Sequence, residues 1–124
     1  MSNKPFGKLF HSEFRSTDPA ATAAFMGDVF GWSVIDTPHP AYKIFETPGD
    51  FEGHIGPVNE GERGPSTTNY ILVENIASAE KAVQAAGGKL LGDRGEAQGQ
   101  GLYTPFEAPG GIPMMLWQHL NNNE

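Results

Sequence analysis

KLFHSEFRSTDPAATAAFMGDVFG, residues 8–31, joins a strand pattern to a helix pattern and decides the fold. In residues 8–15 apolar and polar side chains alternate, which is typical of a strand with one apolar and one mostly polar face. Asp18 can then cap a helix whose first turn accommodates Pro19, and apolar residues follow at helical spacing. Gly31 ends that helix, so the stretch predicts a strand followed by a helix.

Three short strands are predicted after this helix, separated by turns rich in proline and glycine. They cover Trp32–Asp36, Tyr42–Glu46 and Phe51–Val58. The following stretch, Asn59–Thr67, is polar and has no hydrophobic period, so it is interpreted as a connector. One strand, a helix and three strands therefore make up the first half of the chain.

The same order of elements returns after the connector. Thr68–Glu74 has a strand pattern, and Asn75 precedes a helix pattern that Gly87 and Gly88 close. A glycine-rich turn is predicted over Gly92–Gly101. The three remaining strands of this half are predicted at Lys89–Leu91, Leu102–Glu107 and Ile112–Gln118.

The two halves align through strand and helix at a constant offset of 57 positions. That offset places Asp18 on Asn75 (75 minus 18) and Gly31 on Gly88 (88 minus 31). We therefore predict an α+β fold in which two βαβββ modules form a curved mixed sheet. The predicted boundaries are a single domain over residues 1–124, module one at about 7–58, the connector at about 59–67 and module two at about 68–120.

The composition excludes several classes of function. The chain has 8 Lys and Arg residues against 15 Asp and Glu residues, and its formal net charge of -7 repels phosphate backbones and anionic membranes. We therefore expect neither nucleic acid nor a membrane as a partner. The absence of cysteine excludes disulfides, thiolate metal ligands and thiol nucleophiles. Because MSNKPFGKLF, residues 1–10, lacks the apolar core of a signal peptide, we expect a cytoplasmic protein.

Three segments of the sequence carry a family pattern. Residues 10–32 combine a His-Ser-Glu strand, a Thr-Asp-Pro cap and a helix ending in Phe-Gly-Trp, and residues 73–89 lead from a strand into a helix that ends in Gly-Gly-Lys. Residues 108–118 form an Ala-Pro-Gly-Gly turn before a strand ending in Leu-Trp-Gln. Together they resemble the vicinal oxygen chelate superfamily, which includes glyoxalase I, bleomycin-resistance proteins and extradiol dioxygenases, and in particular a branch related to lactoylglutathione lyase. That resemblance covers nearly the whole chain and implies a glyoxalase-like fold, although Ala108 and Gly110 replace the branch's usual acidic turn residues.

The resemblance also implies where a metal would bind. Metal-dependent members place one His, Glu or Gln ligand on each of four strands of the concave face, and here those positions fall on His11, His54, Thr68 and Met115. A neutral hydroxyl and a thioether are poor ligands for the metals of this family. The resemblance therefore implies no complete metal site, and a divalent metal held by His11 and His54 stays the alternative. Glu13 faces the same side of its strand as His11, which makes it a third candidate ligand or a catalytic acid or base.

A ligand pocket is predicted on the concave face. Aromatic and thioether walls with a few polar groups suit a small, partly apolar ligand. Arg15 would favour a carboxylate or phosphate on that ligand, unless it is already paired with Glu13. A hydrogen bond is the simpler role for His11, and His54 could instead be exposed. The predicted pocket residues are His11, Glu13, Arg15, His54, Thr68, Tyr70, Met115 and Trp117.

Three hypotheses on function follow. The first is a glyoxalase/bleomycin-resistance-like protein that binds a small molecule in the concave pocket without a complete metal site. The second is a metal-dependent lyase, isomerase or dioxygenase of the same superfamily, and the third is a non-catalytic interaction module. Whether the chain is an enzyme stays open between them. Since folds of this superfamily often assemble as dimers, we expect a homodimer.

Overall fold

The computed structural model describes residues 6–49, 51–62 and 64–120 and divides the chain into two compact units. One unit is Phe10–Thr68, and the other combines Met1–Leu9 with Asn69–Glu124. They correspond to module one and module two. Neither helix in the described part of the chain is long and apolar enough to cross a membrane.

Module one has the predicted order of one strand, one helix and three strands. Its elements are β1 (Leu9–Ser16), α1 (Pro19–Phe30), β2 (Ser33–Asp36), β3 (Lys43–Thr47) and β4 (Phe51–Pro57). β1 pairs in parallel with β4, while β3 is antiparallel to both β4 and β2. The strands therefore lie in the order β2-β3-β4-β1.

Module two repeats this arrangement with one strand added. Its elements are β5 (Ser66–Leu72), α2 (Ile76–Ala85), β6 (Lys89–Leu90), β7 (Gly95–Ala97), β8 (Gly101–Ala108) and β9 (Ile112–His119). β5 pairs in parallel with β9, and β8 is antiparallel to β9, β6 and β7. The order β6-β8-β9-β5 matches β2-β3-β4-β1 element by element. The predicted α+β class with two βαβββ modules in mixed sheet pairing is thus confirmed.

The predicted turn over Gly92–Gly101 was wrong in its middle, where β7 lies. Its three residues have low strand propensity, and they pair because a tight turn folds them back onto β8. Gly95 lies opposite Tyr103, and a Cβ atom at Gly95 would stand 2.6 Å from the Tyr103 hydroxyl oxygen. The tyrosine ring therefore covers a position where only glycine leaves room, which a propensity pattern does not reveal.

The offset of 57 holds at the start of both repeated elements. β1 begins at Leu9 and β5 at Ser66 (66 minus 9), while α1 begins at Pro19 and α2 at Ile76 (76 minus 19). The predicted caps are confirmed as well, since the Asp18 carboxylate accepts from the amide of Ala21 and the Asn75 side chain from that of Ser78.

The offset fails at the helix ends. α1 closes on Gly31 with φ 75°, but the residue of positive φ after α2 is Gly87, at 98°, and not Gly88, which the offset aligns with Gly31. The reason is length, because α2 has 10 residues and α1 has 12. Gly88 instead lies where a Cβ atom would be 2.9 Å from the carbonyl oxygen of Glu107, so close packing accounts for that glycine.

Each module has its own apolar core on the sheet face that meets its helix. In module one, Phe14 packs against buried Ala23, Phe45 and Ile55. In module two, Ile71 of β5, Val73 just after β5, and Met114 and Leu116 of β9 pack around buried Ile76. The opposite face of each sheet does not belong to these cores.

Candidate functional site

The strand register of module one brings the predicted polar residues together. β1 and β4 run in parallel, and Glu13 lies directly opposite His54, while His11 lies opposite Glu52. Because side chains alternate along a strand, His11, Glu13 and Arg15 share one sheet face with Glu52 and His54. That face is turned away from the Phe14 side and its core.

His54 bridges His11 and Glu13. Its Nε2 atom lies 3.3 Å from Oε2 of Glu13, and its Nδ1 atom lies 2.8 Å from Nε2 of His11. The two imidazole centroids are 5.0 Å apart with a 44° angle between the rings. The three side chains therefore form a series of polar contacts in the order Glu13, His54, His11, with a hydrogen bond between the two imidazoles.

Arg15 holds the carboxylate end of this series. Its guanidinium forms an ion pair with Glu13, which is only 5% exposed. Nη1 of Arg15 also donates, at 3.3 Å in each case, to the Tyr42 hydroxyl, the Pro57 carbonyl and the Asn59 side chain. The pairing of Arg15 with Glu13 is confirmed, so Arg15 is not a ready binding group for an anionic ligand.

Burial governs the charge state of His11. Desolvation, together with the neighbouring His54, lowers the pKa of His11 to about 4, although the charge of Glu13 acts in the opposite direction. Burial also lowers the pKa of Arg15, but the Tyr42 hydroxyl and the Glu13 carboxylate outweigh it, so this pKa is raised overall. At neutral pH the face therefore presents a neutral His11 beside a charged Glu13–Arg15 pair.

The arrangement does not fit a metal site. Two imidazole nitrogens bound to one tetrahedral ion at roughly 2.0–2.1 Å are about 3.3 Å apart, whereas those of His11 and His54 face each other at 2.8 Å and form a hydrogen bond. Glu13 contacts the other nitrogen of His54, so it cannot join an ion bound at Nδ1 of the same ring. Within residues 6–49, 51–62 and 64–120, no three His, Asp or Glu side chains are grouped to hold a metal ion.

The equivalent positions of module two carry other chemistry. Tyr70 lies opposite Met115 on β5 and β9, just as Glu13 lies opposite His54 on β1 and β4. Trp117 lies on the same face, with its ring centroid 6.0 Å from that of Tyr70. Thr68 lies on β5 at the position equivalent to His11. The structure thus brings together four of the predicted pocket residues in module one and three in module two. The four are His11, Glu13, Arg15 and His54, and the three are Tyr70, Met115 and Trp117.

Sequence reasoning missed three residues around the module one face. Glu52 has a local signal, because it alternates with His54 on β4 and so shares its face. Tyr42 and Asn59 contact Arg15 from a turn and from the predicted connector, and their roles depend on tertiary contacts without a local pattern.

No protein-family model matches the chain, and no curated protein matches its sequence. Solved structures do match it. Methylmalonyl-CoA epimerase from Mycobacterium tuberculosis has a TM-score of 0.72 at 13% identity, over 98% of this chain and 93% of that chain. A glyoxalase/bleomycin resistance protein/dioxygenase superfamily member from Vibrio splendidus 12B01 has a TM-score of 0.67 at 16% identity, over 90% and 98%. The Mn(II)-bound glyoxalase from Novosphingobium aromaticivorans has 0.66 at 18% identity, over 94% of this chain and 40% of that chain.

These matches define the class of the fold. The chain has a glyoxalase-like fold, built from two βαβββ modules. The fold that the resemblance in the sequence implied is therefore confirmed. At identities of 13–18% the likeness concerns the fold alone.

Proposed function

We propose that this chain binds a small molecule on the module one face that carries His11, Glu13 and His54, without a complete metal site. The observation that carries the proposal is the series of contacts from Glu13 to His54, at 3.3 Å, and from His54 to His11, a hydrogen bond of 2.8 Å. A few directed polar groups on a sheet face, one of them a buried carboxylate, are typical of ligand sites. The predicted lining residues of module two, Thr68, Tyr70, Met115 and Trp117, stay part of the prediction.

The chemistry of the face supports a ligand recognised by hydrogen bonds more than by charge. Arg15 is committed to Glu13 and to three further acceptors, so a ligand carboxylate or phosphate gains little from it. His11 is neutral at physiological pH because its pKa is lowered to about 4. A small, partly apolar molecule with hydroxyl or amide groups fits these properties.

A ligand screen tests the proposal directly. Metabolites and antibiotics are screened by thermal shift, and hits are mapped by amide chemical shifts on β1 and β4. We expect at least one compound to raise the melting temperature and to shift the amides of His11, Glu13 and His54. The variant His54→Gln should weaken that binding about tenfold or more, equivalent to roughly 1.4 kcal/mol.

The matched control is His39→Gln, since His39 is an exposed histidine in the turn between β2 and β3. This variant should bind the compound as the wild type does. Equal losses in both variants, or a screen with no stabilising compound, would contradict the proposal. A screen without hits would favour the third hypothesis, an interaction module without a ligand site.

A metal-dependent lyase, isomerase or dioxygenase is the second candidate. It is favoured by two imidazoles that lie side by side on one sheet face, with ring centroids 5.0 Å apart, and by the similar fold of a protein described as a Mn(II)-bound glyoxalase. The similar fold of an epimerase favours the isomerase among these reactions. In this case a shift of the rings would admit the ion between His11 and His54, and Glu13 would orient His54 from its other nitrogen.

Metal analysis of the purified protein separates the two candidates. Stoichiometric metal that is lost in both His11→Ala and His54→Ala would overturn the metal-free proposal. A wild-type protein that binds no added Mn²⁺ or Zn²⁺ in titration calorimetry would exclude the second candidate.

A further inference from the structure

We propose that Glu13 is a positioning residue that decides, through His54, which ring nitrogen carries the proton in both histidines. The inference deepens the proposed ligand site and depends on it for its functional meaning. Its structural basis, however, lies in the contacts of the free protein. These contacts are the ion pair Arg15–Glu13, the 3.3 Å contact between Glu13 and His54, and the hydrogen bond between His54 and His11.

The carboxylate of Glu13 fixes which ring nitrogen donates and which accepts at each contact. An ionised carboxylate only accepts hydrogen bonds, and the guanidinium of Arg15 keeps Glu13 ionised inside the protein. The nitrogen of His54 that faces Glu13 is Nε2, at 3.3 Å, so this nitrogen must carry the proton. Because a neutral imidazole has one N–H group, Nδ1 of His54 is then an acceptor.

His11 takes its tautomer from this acceptor. Its Nε2 atom lies 2.8 Å from Nδ1 of His54, and two acceptors at this distance would repel each other. Nε2 of His11 therefore donates, and Nδ1 of His11 is the unprotonated nitrogen. A ligand that engages His11 at Nδ1 must then present a donor, such as a hydroxyl or an amide N–H group.

Without the carboxylate, the contact between Glu13 and His54 no longer favours one order of donor and acceptor. The reverse order, in which His54 donates from Nδ1 to an acceptor Nε2 of His11, makes an equally good bond between the two rings. The negative charge of Glu13, 3.3 Å from Nε2 of His54, favours the first order over the reverse. Arg15, which also donates to the Tyr42 hydroxyl, holds the Glu13 carboxylate in place and so supports this role of Glu13.

Two-bond proton–nitrogen NMR correlation spectra of uniformly ¹⁵N-labelled protein test the inference without any ligand. They distinguish protonated from unprotonated ring nitrogens, and at about pH 8 an ordinary imidazole is neutral. In the wild type we expect both His11 and His54 to be protonated at Nε2, with a preference of about tenfold or more. His39 and His119, both exposed, serve as internal references.

The decisive variant is Glu13→Gln, which keeps the shape of the side chain and removes its charge. We expect the preference at His54 to fall several-fold and His11 to change with it, because the two tautomers are coupled through the bond between the rings. The matched control is Glu52→Gln, in which the neutralised carboxyl lies on the same face, opposite His11 in the strand register. It should leave both tautomers unchanged.

Protonation of His54 at Nδ1 in the wild type overturns the inference, and this spectrum decides even where Glu13→Gln fails to fold. Unchanged tautomers in a folded Glu13→Gln variant, or equal changes in Glu52→Gln, also overturn it. A ligand screen without hits would contradict the proposed function and leave these spectra as they are.

Discussion

The buried imidazole of His11 makes the stability of the protein depend on pH. Its pKa is about 4 in the folded chain and 6.5 in its ordinary, unfolded environment, because burial and His54 disfavour the charged form. Between these two values the unfolded chain binds a proton that the folded chain does not bind. Stability from this group is therefore complete above pH 6.5 and is lost as the pH falls towards 4. One such proton corresponds to about 1.4 kcal/mol per pH unit.

Urea unfolding at a series of pH values checks this prediction. The variant His11→Asn should lose part of the pH dependence that the wild type shows between pH 6.5 and 4, by up to about 1.4 kcal/mol per unit. The variant His39→Asn, which changes an exposed histidine, should keep it. Equal slopes for the wild type and His11→Asn would show that His11 does not titrate as the structure implies.

Alanine substitutions at two glycines of module one should change the free energy of unfolding in opposite directions. A Cβ atom at Gly53 would overlap the carbonyl oxygen of Ser12 and stand 2.6 Å from the ring of Phe45, which is 1% exposed. Gly53→Ala should therefore lower the free energy of unfolding by about 1–3 kcal/mol or more, as overpacking does. In α1, a Cβ atom at Gly27 meets only an ordinary contact, 3.5 Å from the carbonyl oxygen of Trp32.

Gly27→Ala should stabilise the protein by about 0.4–1 kcal/mol, because alanine is the better helix former and restricts the unfolded chain. Denaturant midpoints of the two alanine variants measure both effects. The same direction of change in both would contradict the packing described for β4 and α1.

At the scale of elements, a polar clamp in module two fixes α2 to β8. Arg94 donates to both oxygens of Glu80, at 2.9 and 2.6 Å, and the Thr104 hydroxyl donates to Oε2 at 2.6 Å. Thr104 is completely buried. The hydrogen bond from Arg94 lowers the pKa of Glu80, with a contribution from Thr104. Glu80 is therefore the centre of the clamp.

The variant Glu80→Ala leaves the buried Thr104 hydroxyl without this acceptor, and we expect it to cost about 1–3 kcal/mol. Arg94→Ala removes only a partly exposed ion pair, and we expect a clearly smaller cost. Thermal or urea unfolding compares the two. A larger loss in Arg94→Ala would mean that the surface pair, and not the buried hydroxyl, determines the contribution of the clamp.

Elements with local signals were predicted, and elements without them were not. The caps Asp18 and Asn75 act through bonds to amides three residues away, so a short pattern is sufficient to find them. β7 is held by its partner β8, and which of the two predicted closing glycines, Gly87 or Gly88, takes the positive φ depends on where α2 stops. Both features follow from contacts across the fold, which alignment at one offset cannot place.

At the scale of the whole molecule, the sequence predicted which residues share a face and a possible pairing of Arg15 with Glu13, but not the contacts of His54. Alternation placed His11 and Glu13 together on β1. The contacts from Glu13 through His54 to His11 require the parallel register of β1 and β4, which brings together His11 and His54, 43 residues apart in sequence. The equivalent register of module two pairs Tyr70 with Met115, so the polar network belongs to module one among the described positions.

The start of the chain takes part in module two, although it precedes module one in sequence. The amide of Gly7 donates to the carbonyl of Leu72 at 2.6 Å, and the amide of Leu72 donates to the carbonyl of Lys8 at 3.0 Å. Leu72 is buried, so the loss of these bonds would leave its backbone groups without partners in an apolar setting. Removing residues 1–8 should therefore loosen β5 locally.

Hydrogen exchange of backbone amides measures this effect. In a variant lacking residues 1–8, the amide of Leu72 should exchange about tenfold faster or more, since its acceptor is gone. The amide of Val73 bonds to the carbonyl of Trp117 at 2.8 Å, so it should stay much better protected and serves as the internal reference. A deletion of residues 1–5 keeps both bonds and is the matched control. Unchanged exchange at Leu72 in the longer deletion would show that the strand pairing of module two holds without the N-terminal residues.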